Sequence, residues 1–402
     1  MAARSGEIAD NRQSSHLRSL RIHHLCMKTS YTLTVTDTLD RVDPAAWQAM
    51  AQSNPFVSYL FLKLLQDTGC VHARLGWHPQ YVLLHRGDAL VGAAPCFFKT
   101  HSRGEFVFDQ GWARAFAEHG LSYYPKLLLA SPFTPVQGPR LLAVDEDARL
   151  ALAQGLRQFC EQAEASSVHA LFVLPQDLQA LQGAGFMVRE DVQFHWRNAG
   201  YDSTHAFLEQ LSRDKRRKMR QDSKYVAAAG VQYRWLEGPA LTAEYLSFFY
   251  RCYVQTYVEH HSQPYLTKAF FQQAHAQGAL HFVLVLAEQA GQPIACALNV
   301  RGGETLYGRY WGSNTFIKGL HFETCYMQSI AYCIAHGLKV FEGGAQGEHK
   351  MARGLMPVCM HSAHFVAHPQ FAQAIANFLQ QETQAVSNYV QELELASPYK
   401  TL

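Results

Sequence analysis

The chain has 402 residues, too many for one hydrophobic core of ordinary size and enough for two domains. Hydrophobic residues make up 48% and charged residues 17%, which excludes a disordered chain, and a formal charge of +2 excludes a surface that tracks nucleic acid or anionic membrane over its whole extent. Nine cysteines lie far apart with no CxxC pair, which reads as reduced, mostly buried thiols in a cytoplasmic protein.

Residues 1–28 are basic and polar without the apolar centre of a secretory signal, and read as a disordered extension. Met27, just before the first strand-like run Tyr31–Val35, offers a second start beside Met1. No apolar run approaches the ~18 residues that a membrane span needs, so stable membrane insertion is not expected.

The informative signal is an internal repeat. Tyr81–Lys99 reads as a β-hairpin, two β-rich runs joined by Arg86-Gly87-Asp88, and His281–Gly303 repeats the plan. In each copy the second strand carries small residues, Gly92-Ala93-Ala94 and Ala295-Cys296-Ala297. The first hairpin is followed by a strand at Lys126–Ala130, the loop SPFTPVQGPR, a helix over Asp147–Ala165 and a strand at Ala170–Leu174. The second is followed by a strand at Thr305–Trp311, the loop GSNTFIKG, a helix over Phe322–His336 and a strand at Lys339–Phe341. Between the copies a basic helix runs to Ala229 and is closed by Gly230; a last helix spans Pro369–Leu395. The expected domains are 29–200 and 201–402, in a mixed α/β (α+β) fold.

The order hairpin, strand, helix, strand is similar to the kernel of the GNAT acyltransferase fold. The segment SRDKRRKMR followed by AAAGV resembles the helix that opens the second domain of Fem-type peptidoglycan aminoacyltransferases. The long stretch YGRYWGSNTFIKGLHFETCYMQSIAYCIAHGLKVFEGGAQGEHKMARGLMPV, Tyr307–Val358, resembles the signature of the FemAB-like family named for peptidoglycan biosynthesis or recognition. The resemblance covers residues 30–395. It implies two tandem GNAT-like domains in a bacterial, cytoplasmic acyltransferase that places an acyl or aminoacyl group on an amine. Fem-type relatives take aminoacyl-tRNA as donor and a lipid-linked muropeptide as acceptor, whereas many GNAT relatives use acetyl-CoA or another acyl-CoA. A duplicated scaffold that only binds a muropeptide or a protein is the third reading.

Donor chemistry can be weighed on the residues. Acyl-CoA enzymes of this fold cradle a pyrophosphate on backbone N–H groups in a Q/R-x-x-G-x-G/A loop. Neither SPFTPVQGPR, where Pro139 removes a donor, nor GSNTFIKG, where Gly312 and Gly319 stand far apart, has that spacing. Acyl-CoA is disfavoured on this ground, and aminoacyl-tRNA fits better.

Acyl transfer to an amine needs a proton acceptor and donors for the developing oxyanion. The loop FEGGAQGEHKMARG offers both: Glu342, Glu348 and His349 are candidate catalytic groups, with Gln346, Lys350 and Arg353 to hold substrate. A charged, solvated loop is the alternative. On the strand before it, Arg309 and Trp311 are expected on one face, flanking Tyr310, to hold a carboxylate, a phosphate or a ring; the alternative is an Arg309 paired with Glu323 or Glu342. Arg140 of the first loop is expected to line a channel shared by the two domains. Lys215, Arg216, Arg217 and Arg220 form a basic cluster suited to tRNA or lipid phosphate. Cys359, His361, His364 and His368 alternate as in a strand and lack the tight pairs of zinc sites, so no metal is expected.

Overall fold

The computed structural model describes residues 18–22, 30–345 and 347–400. Its strands are β1 (Arg18–Ile22), β2 (Tyr31–Thr36), β3 (Trp77–Pro79), β4 (Tyr81–Arg86), β5 (Ala89–Ala94), β6 (Cys96–Lys99), β7 (Lys126–Leu129) and β8 (Leu142–Ala143). They continue as β9 (Ser167–Ala170), β10 (Met187–Arg197), β11 (Val231–Leu236), β12 (His281–Gln289), β13 (Gln292–Gly302), β14 (Thr305–Ser313), β15 (Val340–Glu342) and β16 (Met356–Val366). β1 corrects the expectation of a wholly disordered extension, because Arg18–Ile22 pairs antiparallel with Tyr31–Val35; the rest of residues 1–28 lies outside the described residues.

Both expected hairpins form, and they share an irregularity. Leu84 pairs with Gly92 but His85 pairs with Leu90, so Val91 bulges; Ala287 pairs with Ala295 but Glu288 pairs with Pro293, so Ile294 bulges. The same offset in sequence carries each residue of the first bulge onto its counterpart in the second. A bulge adds twist at a fixed point of a strand, so the two hairpins are alike in shape as well as in composition. They differ beyond it: Pro95, which has no N–H to give a ladder, divides the long first-half strand into β5 and β6, and the two pieces enter different sheets.

Strands β1-β2-β4-β5-β8 form one sheet, and β11-β12-β13-β14-β15-β10-β16-β9-β7-β6-β3 form the other. The larger sheet is mixed: β14 and β15 are parallel, as are β7 and β9, and each parallel pair is joined by a crossover helical segment. The centre of that sheet is an exchange. β10, which precedes residue 200, is bonded on both edges by β15 and β16; β16 is bonded on both edges by β10 and β9. One apolar cluster also runs through both halves, where Phe56 meets Tyr307 edge-on at 5.1 Å and Phe61 meets Phe270 at 6.0 Å.

Three expected elements are adjusted. The strand placed at Ala170–Leu174 ends at Ala170, and only the bridge from Val173 to Gly138 continues it. The basic helix is two helices, Thr204–Gln210 and Arg213–Ala228, broken where Leu211 turns into the core and bridges to Tyr399. The helical run after β14 starts at Leu320, and its residues Glu323–Met327 are wound as a π-helix, a form frequent at functional sites.

Candidate functional site

β14 and β15 pair over only three residues each, Thr305–Tyr307 against Val340–Glu342, and then part. Beyond that point a cavity of ≈ 380 Å³ opens at the carboxyl ends of two parallel strands, the place where α/β sheets generally admit ligands. The helix Ala243–Glu259 supplies Tyr253, Thr256 and Tyr257 to its wall, and β13 supplies Asn299. The π-helical segment contributes Cys325 and Tyr326, with His321 just before it.

β14 presents Gly308, Arg309, Tyr310 and Trp311 to this cavity, four consecutive residues. Strict alternation would have placed Arg309 and Trp311 opposite Tyr310. The register explains the difference: Leu298 pairs with Tyr310 and Asn299 with Gly308, which leaves Arg309 as the unpaired residue of a bulge. Arg309 forms no ion pair with Glu323 or Glu342; its Nη2 donates to the carbonyl of Phe133, at 2.7 Å. Its guanidinium also lies 5.2 Å from the Tyr310 ring.

Glu342 ends β15 between Phe341 and Gly343, both of which line the cavity. Its carboxyl is buried, and Oε2 has no hydrogen-bond partner among the described residues. Burial pushes its pKa up to about 8, opposed in part by the positive charge of Arg309. Gly343 is required by packing, since a Cβ there would stand 2.6 Å from Leu355 Cδ2, and Gly344 has φ +79°.

The rest of the loop is divided. Lys350 is buried and donates to the carbonyls of Gly344 (2.8 Å) and Ala345 (3.2 Å), so it props the cavity wall instead of meeting an anion, and burial lowers its pKa to about 8. Arg353 is likewise withdrawn: Nη2 meets Asp222 Oδ2 at 2.6 Å and the guanidinium covers the Phe322 ring at 4.0 Å. These contacts correct the expectation that Lys350 and Arg353 are open to substrate. Glu348 is exposed and accepts from Tyr389 of the last helix, away from the cavity lining. His349 is exposed, with Nε2 3.4 Å from the hydroxyl of the cavity residue Tyr326; burial, then Lys350 and Arg353, lower its pKa. Gln346 lies outside the described residues.

Arg140 is a correction too. It is fully buried, and its guanidinium is spent on the carbonyls of Leu171, Pro139 and Val136. The loop that carries it follows β7, which pairs in parallel with β9, and most of its side chains are buried. That loop still reaches the cavity, through Pro135 and the Phe133 carbonyl, and Phe106 from the same half joins the wall. Phe106 and Phe133 have φ of 64° and 57°, left-handed conformations that non-glycine residues hold where surrounding structure enforces them.

A second cavity of ≈ 1040 Å³ adjoins the first, with which it shares Thr256, His260, Trp311 and His321. It lies on the loop Ser313–Gly319. In and just after that loop the N–H groups of Asn314, Thr315 and Leu320 are bonded within the protein, which leaves fewer donors for a pyrophosphate. On the neighbouring helix, Arg216 and Arg220 share Glu209 at 3.2 and 2.8 Å and Arg217 stands 3.8 Å from Asp214, while Lys215 forms no ion pair among the described residues. No helix among the described residues is long and apolar enough to cross a membrane.

The sequence reading missed the helix Ala243–Glu259. Its signal was present, since Tyr253, Thr256, Tyr257 and His260 recur at the spacing of one helical face. Asn299 carried no local signal; it matters because it is a buried amide in the cavity wall.

Among solved structures, the fold is similar to FemX, with a TM-score of 0.50 and 14% identity over 84% of this chain and 99% of that one. It is similar to L-PGS from Bacillus licheniformis, with 0.53 and 10% over 85% and 98%. It is also similar to the C-terminal domain of a putative lysylphosphatidylglycerol synthetase from Agrobacterium fabrum, with 0.52 and 10% over 84% and 94%. A comparison with curated proteins finds no match. The FemAB-like family, described as peptidoglycan biosynthesis/recognition, matches residues 38–401, and with nearly the whole chain matched, the protein belongs to that family.

Proposed function

We propose that this chain is an acyltransferase that moves an aminoacyl group from aminoacyl-tRNA onto an amine, and that the reaction takes place in the cavity at the parted ends of β14 and β15. The observation that carries the reading is Glu342, a buried carboxyl between two residues of the cavity wall, with an oxygen that has no partner among the described residues and a pKa near 8, matched to removing a proton from an amine near neutral pH. In the step, the neutral acceptor amine attacks the ester carbonyl, a C–N bond forms, the nitrogen gives its proton to Glu342, and as the C–O bond to the donor breaks that proton passes on to the leaving ribose oxygen, which restores the carboxylate. Arg309 and the amide of Asn299, both on the cavity wall, are the donors assigned to the developing oxyanion. The tyrosines of the helix Ala243–Glu259 enclose the organic part of the substrate. A peptidoglycan precursor is the acceptor class that the family description favours. The loop Ser313–Gly319 speaks against acyl-CoA, and the basic helix supports a polyanionic donor.

A specific observation keeps a second reading. The larger cavity on that loop opens onto residues shared with the smaller one, a path that an acyl-CoA could follow. The deciding experiment supplies purified protein with a muropeptide precursor and, in parallel, charged tRNA or acetyl-CoA, and reads the product by mass. An aminoacyl increment that disappears in Glu342→Gln supports the proposal; an acetyl increment replaces it with the second reading. Affinity for the muropeptide without turnover by either donor would make the chain a binding protein.

A further inference from the structure

The centre of the large sheet holds a feature that the cavity does not use. Glu190 on β10 and His361 on β16 are direct partners in the register, and Cys359 pairs with Val192, one diagonal step away on the same face. His361 Nε2 lies 3.8 Å from Glu190 Oε1 and 3.9 Å from Cys359 Sγ, and ligand atoms of all three fall within 4.8 Å of one another. The carboxylate and the imidazole are therefore too far apart for an ordinary hydrogen bond, and the thiol has only long contacts; the three groups converge on a point without pairing.

We propose that Glu190, Cys359 and His361 form a binding site for a divalent, zinc-type cation on the seam between the two halves of the chain. The donor set, one thiolate, one imidazole and one carboxylate, is that of a borderline-soft metal. A tetrahedral zinc with bonds of ~2.0–2.3 Å requires ligand atoms ~3.3–3.6 Å apart. The two distances from His361 must shorten by a few tenths of an ångström, and the Cys359 and Glu190 atoms, within 4.8 Å of each other, are brought together by side-chain rotation. Paired strands hold the three backbones in place, which is the rigidity a metal site needs. The side chains of His361 and Glu190 are 32% and 24% exposed, so an ion has a route in and a water can take the fourth position. His364 and His368 are not part of the set. His364 is fully buried with its Nδ1 2.7 Å from His169 Nδ1, and His368 lies past the end of β16. The ion would tie a strand of the first half to one of the second at the point of exchange.

The test uses the full-length, metal-free protein titrated with Co²⁺ and then with Zn²⁺. One equivalent of Co²⁺ is expected to give thiolate-to-cobalt charge-transfer absorption and tetrahedral d–d bands, both abolished by Zn²⁺. Cys359→Ser should remove the charge-transfer band, and His361→Ala and Glu190→Ala should each weaken binding at least about tenfold. The chain has 21 histidines and eight other cysteines, so a band that persists in Cys359→Ser places the metal elsewhere and overturns the proposal, as does a wild-type protein that gives no band. Zinc should also slow alkylation of Cys359 in the wild-type protein, read by peptide mass with the half-buried Cys325 as internal reference. Equal rates with and without zinc would reject the site without any variant having to fold.

Discussion

Arg309 Nη2 donates to the carbonyl of Phe133 across 2.7 Å, so a guanidinium from a bulge in the second half is aimed by a backbone group of the first half. Its charge also acts on Glu342, where it opposes the effect of burial. Replacing Arg309 by Ala removes both an oxyanion donor and that opposition. The expected result is a fall in kcat/KM of about 100-fold and a rate profile whose rising limb moves to higher pH. Measuring kcat/KM against pH for both proteins checks this, and a limb that does not move would separate Arg309 from Glu342.

Glu342 sets activity against stability. Its folded pKa, about 8, stands above the ordinary carboxylate value of 4.5, so the folded state binds the proton more tightly than the unfolded state does. Stability from this group is complete below pH ~4.5 and declines as the pH rises towards 8. Glu342→Gln should therefore unfold at a higher temperature than wild type at pH 9, with the difference shrinking towards pH 5, while turnover falls about 100-fold or more above pH 8, where the wild-type carboxyl is ionised, and by progressively less at lower pH. Scanning calorimetry across that range tests the stability half.

Gly312 lets the helix Ala243–Glu259 lie on β14, because a Cβ there would be 2.6 Å from both Cys252 Cβ and its carbonyl oxygen. Gly312→Ala should cost about 1–3 kcal/mol in urea unfolding, since backbone cannot yield as a flexible side chain would. It should also raise KM by displacing Tyr253 and Tyr257.

The basic helix gives a salt-dependent prediction. Arg217 and Lys218 are exposed, and Lys215 has no ion pair among the described residues, whereas Arg216 and Arg220 are partly neutralised by Glu209. Combined replacement of Lys215, Arg217 and Lys218 by Ala should weaken tRNA binding and lower the slope of log affinity against log salt by about one per lost phosphate contact. The same changes to Arg216 and Arg220 should alter the slope less. Fluorescence anisotropy at several salt concentrations distinguishes the two sets.

Acetyl-CoA should give little heat on titration, because Asn314 and Thr315 of the loop Ser313–Gly319 already spend their N–H groups inside the protein and the loop lacks the closely spaced glycines of a pyrophosphate cradle. A stoichiometric, micromolar isotherm would select the acyl-CoA reading.

What could be read from sequence follows the range over which each signal acts. The hairpins, the cross-over order and the basic helix are local patterns, and the small residues at Gly92-Ala93-Ala94 and Ala295-Cys296-Ala297 do occupy matching positions next to a bulge. The position of Glu342 at the end of a strand was legible because a glycine pair follows the apolar run there. Lys350, Arg353 and Arg140 were misjudged since their partners, Gly344, Asp222 and Leu171 among them, are found only when the chain is folded. The convergence of Cys359 and His361 with Glu190 was hidden for the same reason: the third group comes from a strand that enters the sheet far from them in sequence.

The exchange of β10 and β16 has a consequence for how the chain is made. β9 is synthesised early, but its neighbour β16 emerges nearly two hundred residues later, roughly 10–40 s behind at ordinary rates of translation. Through that interval the first half presents the free edge of β9 and both edges of β10 as unmatched N–H and C=O groups while still attached to the ribosome, an invitation to self-association. Assembly of the sheet is thus completed only once β16 has emerged, and a product stalled before it would be sticky instead of half-functional.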